Sequence, residues 1–273
     1  MYLNSFLIRQ KSKNNLIFQT FLLSIGITLG INTSSGVINA AELPEIIQRG
    51  KLIVGVKTDV RPLGFRDAQG NLQGLEIDIA KRLAELILGN PDAIALESVK
   101  NQDRLQVILD NKVDLLIAKV TVNPSRSRLV EFSPHYYLDS TGIIAKQADI
   151  KSVSDLKTRR IGVLNGSSAI ALIRSELPTA KLVGVNSYQE ALNLLETEEI
   201  DGFAADNSLL TGWVQENPDY HTLPVQLSQY AIAVVMPKGQ QYWGLRETVN
   251  GAINEWQKSG WLKERAKYWG LSD

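Results

Sequence analysis

The most informative segment of this sequence is Gly74-Leu-Glu-Ile-Asp-Ile-Ala-Lys-Arg-Leu-Ala-Glu-Leu-Ile87. Its apolar residues recur every three or four positions, which is the period of an α-helix with one buried face. Charged side chains fall between them and can remain in water. The segment therefore predicts an amphipathic helix. Four of its residues are expected in the core, namely Ile79, Leu83, Leu86 and Ile87.

Short apolar runs alternate with stretches of helical period along the rest of the chain. This βαβα order is typical of helices that cover mostly parallel sheets, so the predicted fold class is α/β. The runs predicted as strands are Leu52–Val56, Ile94–Leu96, Leu115–Ile117, Ile161–Leu164, Leu182–Val185 and Phe203–Ala205. Two further helices are predicted, one through Leu105, Ile108 and Leu109, and one through Tyr188, Ala191, Leu192 and Leu195.

The N-terminus has the features of a secretion signal. Three basic residues within positions 9–13 precede an apolar run from Leu16 to Ile31, and Ile38-Asn-Ala40 ends in a small residue of the kind found at cleavage sites. An uncleaved anchor is the alternative, but the run is shorter than the ~20 apolar residues that a comfortable membrane span requires. We therefore expect residues 1–40 to be a signal peptide that is removed.

Composition narrows the class and the compartment. The chain has 29 basic and 29 acidic residues and no cysteine. Balanced charge gives no indication of a nucleic-acid or membrane-surface partner. Without cysteine, a disulfide framework, a thiolate metal site and a lipid-modified cysteine anchor are all impossible. A cell with an outer membrane retains such an exported protein, so we expect a periplasmic location. The two histidines are scattered, and neither a metal nor a cofactor is expected.

The segment Gly74–Ile87 resembles the signature of family 3 extracellular solute-binding proteins, and the similarity extends over nearly all of the chain after residue 42. The resemblance implies a type II periplasmic-binding-protein fold, a two-lobed clamshell with two hinge strands and the ligand between the lobes. Tyr136–Ser140 resembles the first crossing, and the return is expected near Gln229–Ala231.

Lobe 1 would then comprise residues 42–138 and 231–273, and lobe 2 residues 139–230. The C-terminal aromatic and apolar residues should pack onto lobe 1 and not contact the ligand, because aromatic residues at such spacing usually form core. These residues are Trp256, Trp261, Leu262, Tyr268 and Trp269.

The charged ends of an amino acid each need a partner, because a buried unpaired charge is costly. Thr121-Val-Asn-Pro-Ser-Arg126 resembles the family stretch in which an arginine grips the α-carboxylate through its planar two-donor fork. Arg126 is the strongest single candidate. Asn123 stands where the family usually has threonine, and Thr121 is either a ligand contact or an ordinary β-branched strand residue.

Two candidates lie in the second predicted lobe. Ser168 follows Gly166-Ser167 between a strand and a helix, where backbone N–H groups and a hydroxyl make a carboxylate cradle. Asp206 matches the family acid that accepts the ligand α-ammonium. For both residues the alternative is a simple helix N-cap.

The charge of the ligand side chain is indicated by Lys57, Arg104 and Lys119. The segments around Lys57 and Arg104 resemble the branch that binds aspartate and glutamate, in which basic residues at these places face the side-chain carboxylate. Lys119 departs from that branch, which usually has a small or hydroxyl residue there. It adds charge to the cleft, competes with Lys57 for one carboxylate, or pairs with a protein acid.

These residues predict a monomeric clamp that binds an amino acid, L-glutamate or L-aspartate, and delivers it to the permease of an ABC importer in the inner membrane. Binding of a neutral polar amino acid such as glutamine is an alternative. A periplasmic prephenate or arogenate dehydratase would share the fold, but it needs a carboxylic acid as proton donor, and the cleft positions are mostly basic. A ligand-loaded sensor remains a third possibility. No nucleophilic catalytic set is evident, so an enzyme is not expected.

Overall fold

The computed structural model describes residues 41–225 and 227–271. The predicted signal peptide lies outside them. Among these residues, no helix is both long enough and apolar enough to span a membrane. The strands are β1 Leu52–Val56, β2 Asp59–Val60, β3 Gly64–Arg66, β4 Leu72–Gln73, β5 Ile94–Ser98, β6 Leu115–Ile117, β7 Glu131–Ala145, β8 Arg160–Leu164, β9 Lys181–Val185, β10 Gly202–Asp206, β11 His221–Thr222 and β12 Gln229–Met236.

The helices follow the strands and cover the sheet. They are α1 Leu43–Arg49, α2 Leu75–Leu88, α3 Arg104–Leu109, α4 Pro124–Ser127, α5 Ala169–Glu176, α6 Tyr188–Glu196, α7 Asn207–Glu216, α8 Trp243–Lys258 and α9 Trp261–Tyr268. The six strands and three helices predicted from the sequence are all present. Their apolar runs and helical periods were long enough to specify the element type.

One large sheet has the order β5-β1-β6-β12-β7-β10-β8-β9, and β11 pairs with β7. The outer strands run parallel to their neighbours in both halves, since β1 pairs with β5 and β6, and β8 with β9 and β10. The small sheet β2-β3-β4 stands apart. Buried apolar clusters lie on both sides of each half, as expected for a parallel sheet covered by helices.

Two antiparallel strands connect the halves. The 15-residue strand β7 pairs with β12 and, towards its C-terminal end, with β10. At the crossing, Ser140, Asp139 and Leu138 lie opposite Gln229, Tyr230 and Ala231. This is the two-lobed α/β architecture with two hinge strands that the sequence predicted. The boundaries 42–138 with 231–273 and 139–230 stay a prediction.

Two residues expected in the core are exposed. Leu86 is 55% exposed. The buried face of α2 includes Ala80 and Ala84, so the centre of that face is rotated away from Leu86, which also lies near the end of the helix. Tyr268 is 68% exposed and stacks against Arg265 and the edge of Trp269 instead of entering the core. The other C-terminal residues do pack against the cluster of α2, α8 and α9, as predicted: Trp256, Trp261, Leu262 and Trp269.

Candidate functional site

The predicted site residues lie at the ends of the central strands. Lys57 directly follows β1, and Lys119 comes two residues after β6. Asp206 is the last residue of β10, and Ser168 directly precedes α5. In open α/β sheets, ligands bind outside the carboxyl ends of parallel strands. The candidates therefore lie at the ends of both halves of the sheet, where a ligand between the lobes would be held.

Arg126 is fixed by the short helix α4. Asn123 is the N-cap, and its side-chain oxygen accepts a hydrogen bond from the Arg126 N–H at 2.9 Å. Nη1 of Arg126 donates to the Thr121 carbonyl at 2.9 Å, and Thr121 itself bridges to Ile232 of β12. A guanidinium carries five N–H donors in a rigid plane, of which this bond uses one. Asn123 thus caps the helix that carries Arg126, and the Thr121 carbonyl holds the Arg126 guanidinium. Direct ligand contact by Asn123 and Thr121 stays a prediction.

Arg104 is held by backbone carbonyls. Its Nη1 donates to Ala118 at 2.8 Å and also to the Lys119 carbonyl, and its Nε donates to Asn101 at 3.3 Å. Burial and the neighbouring positive charge of Arg126 lower the pKa of Arg104. We call Arg104 and Arg126 the cationic edge of the cleft. Because these two guanidinium groups repel each other, an anion placed between them would stabilise both.

Lys57 is buried, with 4% of its surface exposed. Its Nζ lies 2.9 Å from Oδ1 of Asp59 and donates to the Val99 carbonyl at 3.2 Å. Its positive charge is therefore already compensated by a neighbour in the same loop. The predicted contact between Lys57 and a ligand carboxylate stays a prediction, and the Asp59 pairing reduces the charge that Lys57 offers.

Lys119 pairs with protein acids, which was one of its three predicted roles. Its Nζ lies 2.5 Å from Oδ2 of Asp206 and 3.7 Å from Oδ2 of Asp139. Burial alone would lower the pKa of Lys119, but the two carboxylates raise it overall. The same ammonium holds the pKa of Asp206 below its ordinary value, although burial opposes this. Both groups are therefore charged at neutral pH.

Asp206 directly precedes α7, yet its side chain makes no capping hydrogen bond to that helix. The Asp206 carboxylate therefore does not cap α7, which was its alternative role. Asp139 lies behind it, fully buried, and accepts hydrogen bonds from the Ser140 and Ser208 N–H groups and from the Ser208 hydroxyl. We call Asp206 and Asp139 the acidic edge. It places two carboxyl groups beside one ammonium, that of Lys119.

The Tyr230 hydroxyl is buried beside the acidic edge. Among the described residues it has no hydrogen-bond partner of ordinary geometry. Burial and the charges of Asp139 and Asp206 raise its pKa, so the group stays a neutral phenol. A phenol next to two carboxylates is positioned to donate a hydrogen bond to one of them after a small movement.

Glu76 is a buried acid that the sequence reasoning missed. Burial raises its pKa to about 7, while hydrogen bonds from Tyr136 and from the Lys119 N–H oppose the shift. Those bonds reach Oε1 at 2.5 and 2.6 Å, and Oε2 has no partner within the described part of the chain. Glu76 therefore supports the backbone of Lys119 from beneath. A carboxylate on the buried arc of an amphipathic helix was the signal that could have revealed it.

Ser168 is exposed and caps no backbone N–H of α5 in the described ranges. Its side chain therefore does not act as the helix cap, and its role as a carboxylate contact stays a prediction.

A cavity of about 330 Å³ lies between the halves of the molecule, and the predicted site residues are not among those that line it. One wall is the loop with Arg61 and Phe65, and the other contains Tyr188, Trp213 and Glu216. Nε of Arg61 lies 3.1 Å from Oε1 of Glu216 across it.

This chain belongs to the bacterial extracellular solute-binding proteins, family 3, whose sequence profile matches residues 52–272. It is 28% identical over 234 residues to the ABC transporter glutamine-binding protein GlnH of Bacillus subtilis, covering 85% of each chain. It is 33% identical over 190 residues to the glutamine-binding protein of Geobacillus stearothermophilus, covering 68% of this chain and 72% of that one.

Among solved structures, the solute receptor for L-cysteine of Neisseria gonorrhoeae has a similar fold. The TM-score is 0.65, with 30% identity, covering 84% of this chain and 93% of that one. The family membership predicted from Gly74–Ile87 is confirmed, and so is the two-lobed fold.

Proposed function

We propose that this protein binds an amino acid between its two lobes and delivers it to the permease of an ABC importer. The observation that carries this proposal is the opposition of two charged edges. Arg104 and Arg126 are fixed on one edge by backbone carbonyls, and Asp206 lies on the other. A zwitterion has a carboxylate for the first and an ammonium for the second, and each would otherwise be buried without a partner.

The ligand we favour is L-glutamate or L-aspartate. One carboxylate compensates only one of the two guanidinium groups, and a second carboxylate compensates the other. L-Glutamine is the second candidate, because two relatives are named as glutamine-binding proteins and because Asp59 already neutralises Lys57.

Calorimetric titration of residues 41–273 tests the ligand class. We expect glutamate and aspartate to bind, glutamine to bind more weakly, and arginine and lysine not to bind measurably. Tighter binding to glutamine than to glutamate would transfer the proposal to the neutral ligand. Tighter binding to arginine would refute the acidic assignment.

Export to the periplasm and action as a monomer belong to the same proposal. Cell fractionation followed by mass spectrometry of the mature N-terminus tests the first, with cleavage near Ala40 expected. A single particle of monomer mass in light scattering tests the second. Loss of amino-acid uptake on deletion of the gene would support a transporter partner, whereas intact uptake with lost ligand signalling would support a sensor.

Ligand binding without chemistry is expected. Each edge contributes to the full set of ligand partners, so the ligand favours the closed form through its higher affinity for that state. Incubation with glutamate should return glutamate unchanged while small-angle scattering shows a more compact particle. Incubation with prephenate or arogenate should give no aromatic product. Multiple-turnover formation of such a product would replace binding with the dehydratase reaction.

A further inference from the structure

Lys119 has an unusual backbone for a lysine. Its φ is +51°, in the left-handed region that residues with a Cβ visit rarely. The N–H donates to Oε1 of Glu76, and the carbonyl accepts a hydrogen bond from Arg104. Such conformations persist where the surroundings over-determine them, and they cluster at functional sites. The fold thus fixes Lys119 at this place from both sides.

The Lys119 side chain connects the two halves of the sheet. Its residue follows β6, whereas Asp206 ends β10, and β12 and β7 lie between those strands. The side chain is 12% exposed, with its ammonium 2.5 Å from Asp206. Asp206 is also the acid we assign to the ligand's ammonium. The Lys119 ammonium and the ligand ammonium would therefore both pair with the Asp206 carboxylate.

We propose that Lys119 is a resident counter-cation for Asp206, and that the cleft therefore also accepts the amine-free 2-oxo acid that corresponds to its amino acid. The inference rests on the proposed function, through the roles given to Arg126 and Asp206. It makes Lys119 the residue that determines selectivity between an amine and a ketone at this position.

A ligand ammonium has two ways to reach Asp206. It shares the carboxylate with Lys119, which brings two positive charges together, or it displaces Lys119, whose remaining acid is Asp139 at 3.7 Å. Both are unfavourable for the Lys119 ammonium, whose side chain is only 12% exposed. A 2-oxo acid has the same carboxylates for the cationic edge but no positive charge. Its ketone oxygen can accept a hydrogen bond from the Lys119 ammonium, which has three N–H donors.

Calorimetric titrations with L-glutamate and with 2-oxoglutarate test this proposal in three proteins. Lys119→Met removes the ammonium but keeps a Cβ and a long chain at the same backbone position. Lys146→Met is the matched control, because Nζ of Lys146 is also 2.5 Å from a carboxylate, that of Glu196, and neither residue lines the cavity between the halves.

We expect the wild type and Lys146→Met to bind the two compounds with affinities within about tenfold of each other. In Lys119→Met, glutamate should bind about tenfold more tightly and 2-oxoglutarate about tenfold more weakly. Lys119→Gly should show the same separation, and because glycine tolerates φ of +51° it serves if the methionine variant folds poorly. An unchanged ratio in both Lys119 variants would overturn the proposal.

Failure of this inference can be distinguished from failure of the proposed function. If glutamate binds the wild type and 2-oxoglutarate does not, the amino-acid assignment stands and the role of Lys119 is overturned. If no amino acid binds, the proposed function fails. In that case, binding of 2-oxoglutarate that Lys119→Met abolishes still supports the counter-cation, and absence of such binding overturns it as well.

Discussion

The two edges of the cleft carry opposite charges and are positioned in different ways. Arg104 and Arg126 of the cationic edge are oriented by carbonyls of their own half, at Ala118 and Thr121. Asp206 of the acidic edge has its ion-pair partner, Lys119, in the other half. The cationic edge is therefore preorganised within one half, whereas the ion pair of Asp206 depends on both halves. Under the proposed function, we expect a ligand carboxylate to bind first and closure to bring the acidic edge to the other end of the ligand.

The largest expected effect is loss of the cationic edge. Arg126→Ala should weaken binding of every amino-acid ligand by roughly 2 to 4 kcal/mol, about 30- to 700-fold, because it leaves the α-carboxylate buried without its fork. Calorimetry with glutamate and glutamine measures it. Arg128→Ala is the matched control, since Arg128 ends the same helix but is exposed. Equal small losses in both variants would show that Arg126 does not hold the carboxylate.

The next largest effect is on the stability of the fold and comes from Glu76, the buried acid next to the cationic edge. Burial raises the pKa of Glu76 from 4.5 to about 7. The folded protein therefore keeps a proton that the unfolded chain releases at lower pH. Stability from this group is present below about pH 4.5 and is lost as pH rises to and beyond about 7. The loss amounts to about 3 to 4 kcal/mol at about 1.4 kcal/mol per pKa unit.

Glu76→Gln should remove this loss, because an amide oxygen can still accept the hydrogen bonds from Tyr136 and the Lys119 N–H without ionising. Urea unfolding at pH 5 and pH 8 measures the difference, and titrations common to both proteins cancel. Glu85→Gln, at an exposed position of the same helix, should leave the pH dependence unchanged. A Glu76→Gln variant that is as pH-dependent as the wild type would show that Glu76 ionises normally.

These contrasts also show what could be predicted from the sequence. Elements with a repeated period, such as α2 and β1, were predicted because several residues report the same state. The strands β2, β3 and β4 were missed, because two or three residues do not establish an alternation. Leu86 was wrongly predicted as buried, because the helical period identifies an apolar stripe but not which side of that stripe the neighbouring elements cover.

For the site, charged residues at the ends of strands could be predicted from the sequence, but the residues with which they pair could not. Lys57 pairs with Asp59 two positions away, whereas Lys119 pairs with Asp206 87 positions away. The second pair depends on how the hinge strands bring the two halves together, which no local pattern encodes. Asn123 and Thr121 were predicted as site residues from the same segment as Arg126, but the hydrogen bonds that each makes to Arg126 could not be predicted.

The second guanidinium of the cationic edge should act mainly on the ligand side chain. Arg104→Met removes one of the two charges of the cationic edge and should weaken glutamate about tenfold more than glutamine, since only glutamate has a second carboxylate to lose a partner. Paired calorimetric titrations give the ratio, with Arg128→Met as the control. Equal weakening of both ligands would show that Arg104 acts only through its bonds to the Ala118 and Lys119 carbonyls.

The smallest effect concerns Lys57, whose positive charge is compensated by its neighbour Asp59. The Asp59 carboxylate is mostly exposed and lies 2.9 Å from the buried Lys57 ammonium. Asp59→Asn removes the competing charge and should strengthen glutamate binding by roughly two- to fivefold, the range of an exposed ion pair, while glutamine changes little. Asp92→Asn, at another exposed position, changes net charge equally and should leave both affinities unaltered. If glutamate affinity in Asp59→Asn stays at the wild-type value while the protein remains folded, Lys57 does not face the ligand, and the cationic edge consists of the two arginines alone.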